Sequence, residues 1–421
     1  MKTFLLLFII IAFHDFLYLV PDATLTYLAP DIGLIVLFGL LFYQIFLEKH
    51  DLRKLNNFFS WYIFLYLCLV VVQASIASYY YEQSVIDGLI VARGQFKYLI
   101  GFSFMLYFQT NRDIERFMMA MSIMALIVLY LGLVNYLGPT IFQHRWAEGH
   151  GMRSGILRAF LPAMEVFVMV LIWHLCRLLD AKRLLRSSLM FVGIAAFALL
   201  FRQTKMHIVA SFTVCAIIMV YHKRFGMLMT LAGVLFMGSL IVSLYTKQNI
   251  IVNMFENTYE AVMDSGTNRH GDERTTWDAR MEQIVASKDT VMETFFTGSG
   301  GLVLRESEEA LSSKLHAIRR GMDLGYFVWV KYYGLPGVLL LLSFVIYGIV
   351  FRIKSRVRKN SPYAYIDNYA FYHLVVIIIS MVTITYLTTP HTIPIFCICM
   401  SIMVTRAKMS KAQESLALAR A

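Results

Sequence analysis

The chain has 421 residues, 58% of them hydrophobic and only 15% charged. Soluble domains carry about 25% charged residues, so lipid rather than water is the main solvent of this sequence. The net charge of +11 has no dense basic patch interleaved with aromatics outside the apolar runs, which excludes a nucleic-acid binder. The five cysteines (Cys68, Cys176, Cys215, Cys397, Cys399) all fall inside apolar stretches and read as small buried hydrophobes, not as disulfides or zinc ligands.

A bilayer core needs about 20 mostly apolar residues per helix. In chain order such runs cover roughly 3–21, 28–47, 58–78, 88–110, 117–138, 155–176, 189–203, 206–221, 226–246, 325–351, 367–387 and 392–404. The first looks like a signal peptide, but His14 and Asp15 interrupt it and a second run follows closely, so it reads as a retained helix. The fold expected is an all-α integral membrane protein of about twelve transmembrane helices. Residues 1–246 hold helices one to nine, 247–324 form one large loop, 325–404 hold the last three helices, and 405–421 are a tail.

Basic residues set the sidedness. With the N-terminus inside, the inner segments hold 21 of the 38 Lys and Arg against seven Asp and Glu, or +14. The remainder carries 17 against 20, or −3, which fits an even number of spans with both termini inside. The basic surplus is mostly a topology signal.

The large outer loop is polar, with nine bases and 13 acids. Val252, Phe255, Tyr259, Val262 and Met263 recur at helical spacing, as do Trp277, Met281, Ile284 and Val285, so the loop is expected to be partly helical. The glycines of Gly298–Gly301 mark a tight turn that lacks the lysine of a nucleotide loop. The sequence contains neither Asp-x-Asp nor His-Glu-x-x-His, and no metal site is expected.

Several cations fall at the outer ends of spans, where an ionisable group costs at least a few kcal/mol without a partner or water. Arg93 and Lys97 are four apart and would share one face of a regular helix. Arg153 and Arg158 flank the sixth span, and Arg202 and Lys205 lie in the turn before the eighth. Snorkelling to headgroups, or pairing with Asp87, Glu148 or Glu165, accounts for such residues one at a time. As a set they suit an anionic lipid-borne substrate such as a diphosphate, with Arg as a planar fork and Lys as a point charge. His14, His174, His207, His373 and His391 stand singly among apolar residues and read as packed, hydrogen-bonded histidines.

The stretch from Arg274 to Gly337 is the most informative. It reads RTTW at Arg274–Trp277, FFTGSGG at Phe295–Gly301 and DLGYFVWVKYYGLPG at Asp323–Gly337. Upstream lie RSGILRAFLPA at Arg153–Ala163 and FRQTKMHIVASF at Phe201–Phe212. In order, sidedness and spacing these segments resemble the O-antigen polymerase/ligase superfamily of bacterial envelope glycosyltransferases, over roughly residues 150–340. Three departures stand out. Lys205 replaces a usual arginine, the Arg274–Trp277 spacing is tight, and Asp323 occupies the position where ligases of the family carry a histidine. His316, seven residues earlier on a polar face with Arg319 and Arg320, is the nearest substitute.

The resemblance implies a C-type glycosyltransferase-like architecture in the bacterial inner membrane, with both termini cytoplasmic and the large loop periplasmic. It implies metal-independent, cofactor-free polymerisation of undecaprenyl-diphosphate-linked repeat units into O-antigen, capsule or exopolysaccharide. The lipid-linked donor and acceptor are then the substrates, and a flippase and a chain-length regulator the implied partners. Asp323, Arg274 and His316 are the expected catalytic residues. Arg93, Lys97, Arg153, Arg158, Arg202, Lys205, Arg319 and Arg320 are the expected diphosphate- and substrate-binding set. Two alternatives stay open: ligation of finished glycan onto lipid A core, and a twelve-span transporter or flippase.

Overall fold

A computed structural model describes residues 2–19, 23–137, 152–153, 156–157, 161–180, 186–202, 205–224, 226, 229, 233, 284–285, 288–289, 291–300, 325–355, 361–382, 386–389 and 391–418. Most are helical. The elements are α1 (Lys2–Phe13), α2 (Ala23–Phe42, continued by a π turn over Tyr43–Leu47), α3 (Phe58–Tyr81) and α4 (Val85–Ala92). A 3-10 segment over Arg93–Leu99 leads into α5 (Ile100–Tyr107), followed by α6 (Asn111–Leu137), α7 (Met164–Asp180), α8 (Arg186–Arg202) and α9 (Lys205–Tyr221). The last three are α10 (Gly325–Ser355), α11 (Ala364–Ser380) and α12 (Ile393–Leu418). The exception to an all-α fold is a short ribbon in which β1 (Met152–Arg153) pairs antiparallel with β2 (Ile156–Leu157).

Among the described residues five helical stretches are long and apolar enough to cross a membrane: Leu28–Leu47, Phe58–Tyr81, Asn111–Asn135, Gly325–Ser355 and Ile393–Ser410. Lys2–Phe13, Arg186–Leu199, His207–Tyr221 and Ala364–Ser380 are shorter apolar helices. The surface has the polarity of a membrane-embedded protein: Ile35, Phe38, Phe42 and Phe46 on α2 and its π turn, and Trp61 and Phe64 on α3, are exposed, while Gln44, Gln73 and Ser103 are buried. Helix α7 is buried on nearly every side and forms the centre. It packs on α8, α11, α6 and α9, with Trp173 edge-on to Tyr365 and Tyr369.

Element bounds differ from the sequence reading in several places: α7 starts at Met164 rather than near residue 155, after the β1–β2 ribbon, and four further differences have a local cause. The first run breaks after Phe13, because Asp15, Phe16, Leu17 and Tyr18 all take positive φ and fold the chain back into α2. The run 88–110 is interrupted by the 3-10 segment. Helix α6 starts six residues earlier than expected, at a Thr110-Asp113 capping box: the Asp113 N–H donates to Thr110 Oγ1 (3.2 Å) and the Thr110 N–H to Asp113 Oδ2 (2.8 Å). Helix α12 continues into the expected tail as far as Leu418. The run 226–246 and the loop helices before Ile284 lie largely outside the described residues.

Residues that the basic count assigns to one side gather at one end of the bundle. Lys2 pairs with Glu48 at 2.6 Å, Lys54 donates to Gln109 Oε1 at 2.6 Å, and Asn368 donates to Asp180 Oδ2 at 2.8 Å. Arg406 forks onto buried Asp367, Nε to Oδ1 at 2.7 Å and Nη2 to Oδ2 at 3.0 Å, and reaches Asn111 Oδ1 at 2.7 Å. Both charges are buried. Removing one partner of such a pair leaves the other charge stranded, so Arg406→Ala should cost about 3–5 kcal/mol. The expected result is a large drop in thermal stability in detergent; a melting curve unchanged from wild type would show that the pair is dispensable.

Candidate functional site

The opposite end of the bundle collects the features of interest. In a 3-10 segment, with about three residues per turn, positions four apart point about 120° apart rather than sharing a face. Arg93 and Lys97 therefore diverge. The Lys97 ammonium is buried, donates to Phe13 O at 3.2 Å and lies 4.7 Å over the Phe13 ring. Helix α1 stops at Phe13, so its last carbonyls lack helical partners, and a cation there also meets the negative end of the helix dipole. Lys97 is thus the cap of α1. Arg93, 57% exposed, sits 3.5 Å from Asp31 Oδ2 and keeps most of its guanidinium open.

For the rest of the expected set the structure gives backbone positions or nothing. Arg153 pairs with Ile156 in the ribbon, Arg202 ends α8 and Lys205 starts α9, and the side chains of all three are outside the described residues. Arg158, Arg274, His316, Arg319, Arg320 and Asp323 also lie outside them.

The glycine turn has a specific seat. Helix α10 is broken at Gly334 (φ 57°, ψ −151°) and followed by Pro336, which has no N–H to give to the Tyr332 carbonyl four residues back. The Leu335 N–H leaves the helix and donates to Phe295 O at 2.7 Å. The orphaned carbonyls are taken by the turn: the Ser299 N–H donates to Lys331 O (2.9 Å) and the Gly300 N–H to Tyr332 O (3.2 Å). Gln73 on α3 holds the turn from the other side, Nε2 to Thr297 O at 2.5 Å. With the Gly298 N–H on Thr294 O as well, the described amides from Thr297 to Gly300 are all spent on carbonyls. Thus FFTGSGG and YYGLPG, far apart in sequence, are one structural unit.

Below it lies an aromatic layer. Trp329 stacks on Tyr66 at 5.5 Å, the Tyr66 and Tyr333 hydroxyls meet at 2.8 Å, and Tyr66 donates to Gln95 Oε1 at 2.7 Å. Gln95 Nε2 donates to Thr388 O (2.8 Å) and the Tyr98 hydroxyl to Leu387 O (2.9 Å), so the 3-10 segment fixes the connection between α11 and α12.

That connection carries His391, and here the histidines depart from expectation. His174 is packed and bonded as expected, between Ser122 Oγ (2.9 Å) and Ser188 Oγ (3.3 Å). His373 is packed beside Tyr369, but neither ring nitrogen has a hydrogen-bond partner among the described residues. The other three converge. Glu165, in the first turn of α7 and 6% exposed, has His207 Nε2 at 3.6 Å and His391 Nε2 at 3.8 Å, both from Oε1. The His14 ring, in the break after α1, is 6.0 Å from that of His391 and anchored through Nδ1 to Ile10 O at 2.8 Å. Four separate chain segments thus bring one buried carboxylate and three imidazoles together, beside the Lys97 cap. His391 is 47% exposed and opens the cluster to the outside.

Among the described residues no group of His, Cys, Asp and Glu is arranged to hold a metal ion. A cavity of about 300 Å³ lined by Lys54, Phe108, Gln109 and Lys408 lies at the basic end, away from this cluster. No protein-family model matches the chain, and no curated protein matches it in sequence.

Proposed function

We propose that the protein is a metal-independent glycosyltransferase that polymerises undecaprenyl-diphosphate-linked repeat units at the periplasmic face of the bacterial inner membrane. The observation that carries this reading is the seat of the glycine turn. Two of the segments that carry the family resemblance, Phe295–Gly301 and the part of Asp323–Gly337 from Lys331 onward, bind each other through four backbone and side-chain hydrogen bonds to Lys331 O, Tyr332 O and Phe295 O. The large loop would thereby be locked to the tenth of twelve spans, directly after Asp323. The gathering of Lys2, Lys54 and Arg406 at one end agrees with cytoplasmic termini.

In the reaction a sugar hydroxyl of the acceptor attacks the anomeric carbon of the donor and expels lipid diphosphate. Cations stabilise the charge that develops on the leaving group. Arg274 and the half-open Arg93 are the forks for it, and Asp323 is the carboxylate that meets the acceptor, orienting its hydroxyl or taking its proton. The Tyr326 N–H is already taken by Met381 O at 3.1 Å, so the start of α10 has a partner that does not depend on Asp323. Asp323→Asn keeps any capping ability but removes the carboxylate. The expected result is a well-expressed protein that makes no long polymer, read on a glycan ladder gel; a normal ladder would remove Asp323 from the reaction.

The test of the reading is a deletion strain. Single lipid-linked repeat units should accumulate on the outer leaflet. The Glu165–histidine cluster favours one second reading, a proton-coupled transporter or flippase, because ionisable groups within helical bundles mark proton relays. That reading predicts accumulation on the inner leaflet.

A further inference from the structure

We infer that His391, backed by Glu165, is the group that takes the acceptor's proton. This inference rests on the glycosyl-transfer reading and names a residue pair that the sequence motifs do not contain.

A general base needs a reachable ring nitrogen, a second group that orients and stabilises it, and a fixed backbone. All three are present. His391 is exposed, while Glu165 Oε1 stands 3.8 Å behind its Nε2 and is itself shielded from water. The backbone carrying His391 is fixed on both sides. Gln95 and Tyr98 hold Thr388 O and Leu387 O, and Thr392 Oγ1 donates to Tyr386 O and Thr389 O. Among the described residues the carboxylate also faces His207 on the same oxygen, His14 at the side and the fully buried Tyr386, whose hydroxyl has no hydrogen-bond partner among the described residues. Of these, His391 alone reaches the surface to an appreciable extent; His14, His207 and Tyr386 are buried. The start of α10, two residues after Asp323, is tied to the end of α11 through Tyr326, whose N–H bonds Met381 O and whose hydroxyl bonds Ile378 O. The connection bearing His391 leaves from that same end.

The acceptor hydroxyl gives its proton to the His391 ring as its oxygen bonds to the donor's anomeric carbon. The bond from that carbon to the diphosphate oxygen breaks, and its electron pair leaves with the lipid diphosphate. The imidazolium formed faces the Glu165 carboxylate and returns its proton to water from its exposed side.

The experiment uses the full-length protein in proteoliposomes with lipid-linked repeat units, following the rate of ladder formation. His391→Ala should lose about 10²- to 10⁴-fold, the usual contribution of a general base. Imidazole added to the buffer should restore part of that loss, since removal of the exposed side chain leaves an open site. Glu165 acts through His391 and is a positioning residue. Glu165→Gln should slow wild type about tenfold or more yet cost nothing further in the His391→Ala background, because groups acting as a unit are not additive. Should His391→Ala insert poorly, His391→Gln, which keeps a polar side chain, should insert like wild type and still lose the rate. Wild-type rates in both His391 variants, or a loss that imidazole does not restore and that adds to Glu165→Gln, would overturn the assignment. No ladder from the wild-type protein would instead overturn the glycosyl-transfer reading.

Discussion

Gly334→Val should remove both activity and most of the membrane-inserted protein. Gly334 adopts φ 57° and ψ −151°, a conformation essentially reserved for glycine. A side chain there costs about 1–3 kcal/mol in backbone strain alone. Its Cβ would also lie 2.4 Å from the Gly298 nitrogen and 2.7 Å from Phe295 O, both main-chain atoms that cannot swing aside. The turn would be pushed off the helix break, and the carbonyls of Lys331 and Tyr332 would lose the amides of Ser299 and Gly300. In a membrane-embedded setting each unsatisfied backbone group costs several kcal/mol. Gly298→Ala should act in the same direction, since its Cβ would fall 2.3 Å from Tyr332 O. Gly39→Ala and Gly193→Ala are the controls, because an added methyl there meets nothing within 4 Å. Protein abundance and protease resistance of the loop read the effect. Full abundance of Gly334→Val with a protected loop would mean that the turn is not seated in the break.

Arg274→Ala is expected to abolish glycan extension while leaving the protein in the membrane. Its sequence neighbours Asp272, Glu273 and Asp278 offer local salt bridges, but surface pairs are worth about 0–1 kcal/mol, too little to unfold a many-helix membrane protein. A leaving diphosphate, by contrast, gains from a bidentate fork as charge develops. Arg93 belongs to the same expectation, and its contact with Asp31 at 3.5 Å leaves it more than half exposed. Arg93→Ala should lower activity severely and Arg93→Lys should restore only part, because a point charge does not replace a planar fork. A wild-type ladder from Arg274→Ala, or from Arg93→Lys, would remove that residue from diphosphate binding.

Long apolar helices were legible because lipid demands long apolar runs, and among the described residues five are long enough to cross a membrane; some residues counted on one side also meet. Lys2 with Glu48 and Arg406 with Asp367 are instances. Less legible was anything set by backbone detail. Nothing in the sequence around Asp15–Tyr18, which has neither Pro nor Gly, announces four consecutive residues of positive φ. The 3-10 segment turned an expected Arg93–Lys97 face into two separate roles, one open to the surface and one buried as a helix cap. The Glu165–histidine cluster was invisible for another reason: its members come from four segments up to 377 residues apart and carry no spacing signal. Only His207 and His391 lie beside an end of an expected span; His14 and Glu165 fall well inside the runs 3–21 and 155–176, and the helix ends that bring them to the cluster, Phe13 and Met164, are set by the fold.

Purified protein reconstituted in liposomes, with undecaprenyl-diphosphate-linked repeat units as sole substrate and EDTA in the buffer, separates polymerisation from transport. The expected products are a ladder of longer lipid-linked glycans and free undecaprenyl diphosphate, one per linkage formed. Units that remain single, or that merely change leaflet without joining, would contradict the glycosyl-transfer reading.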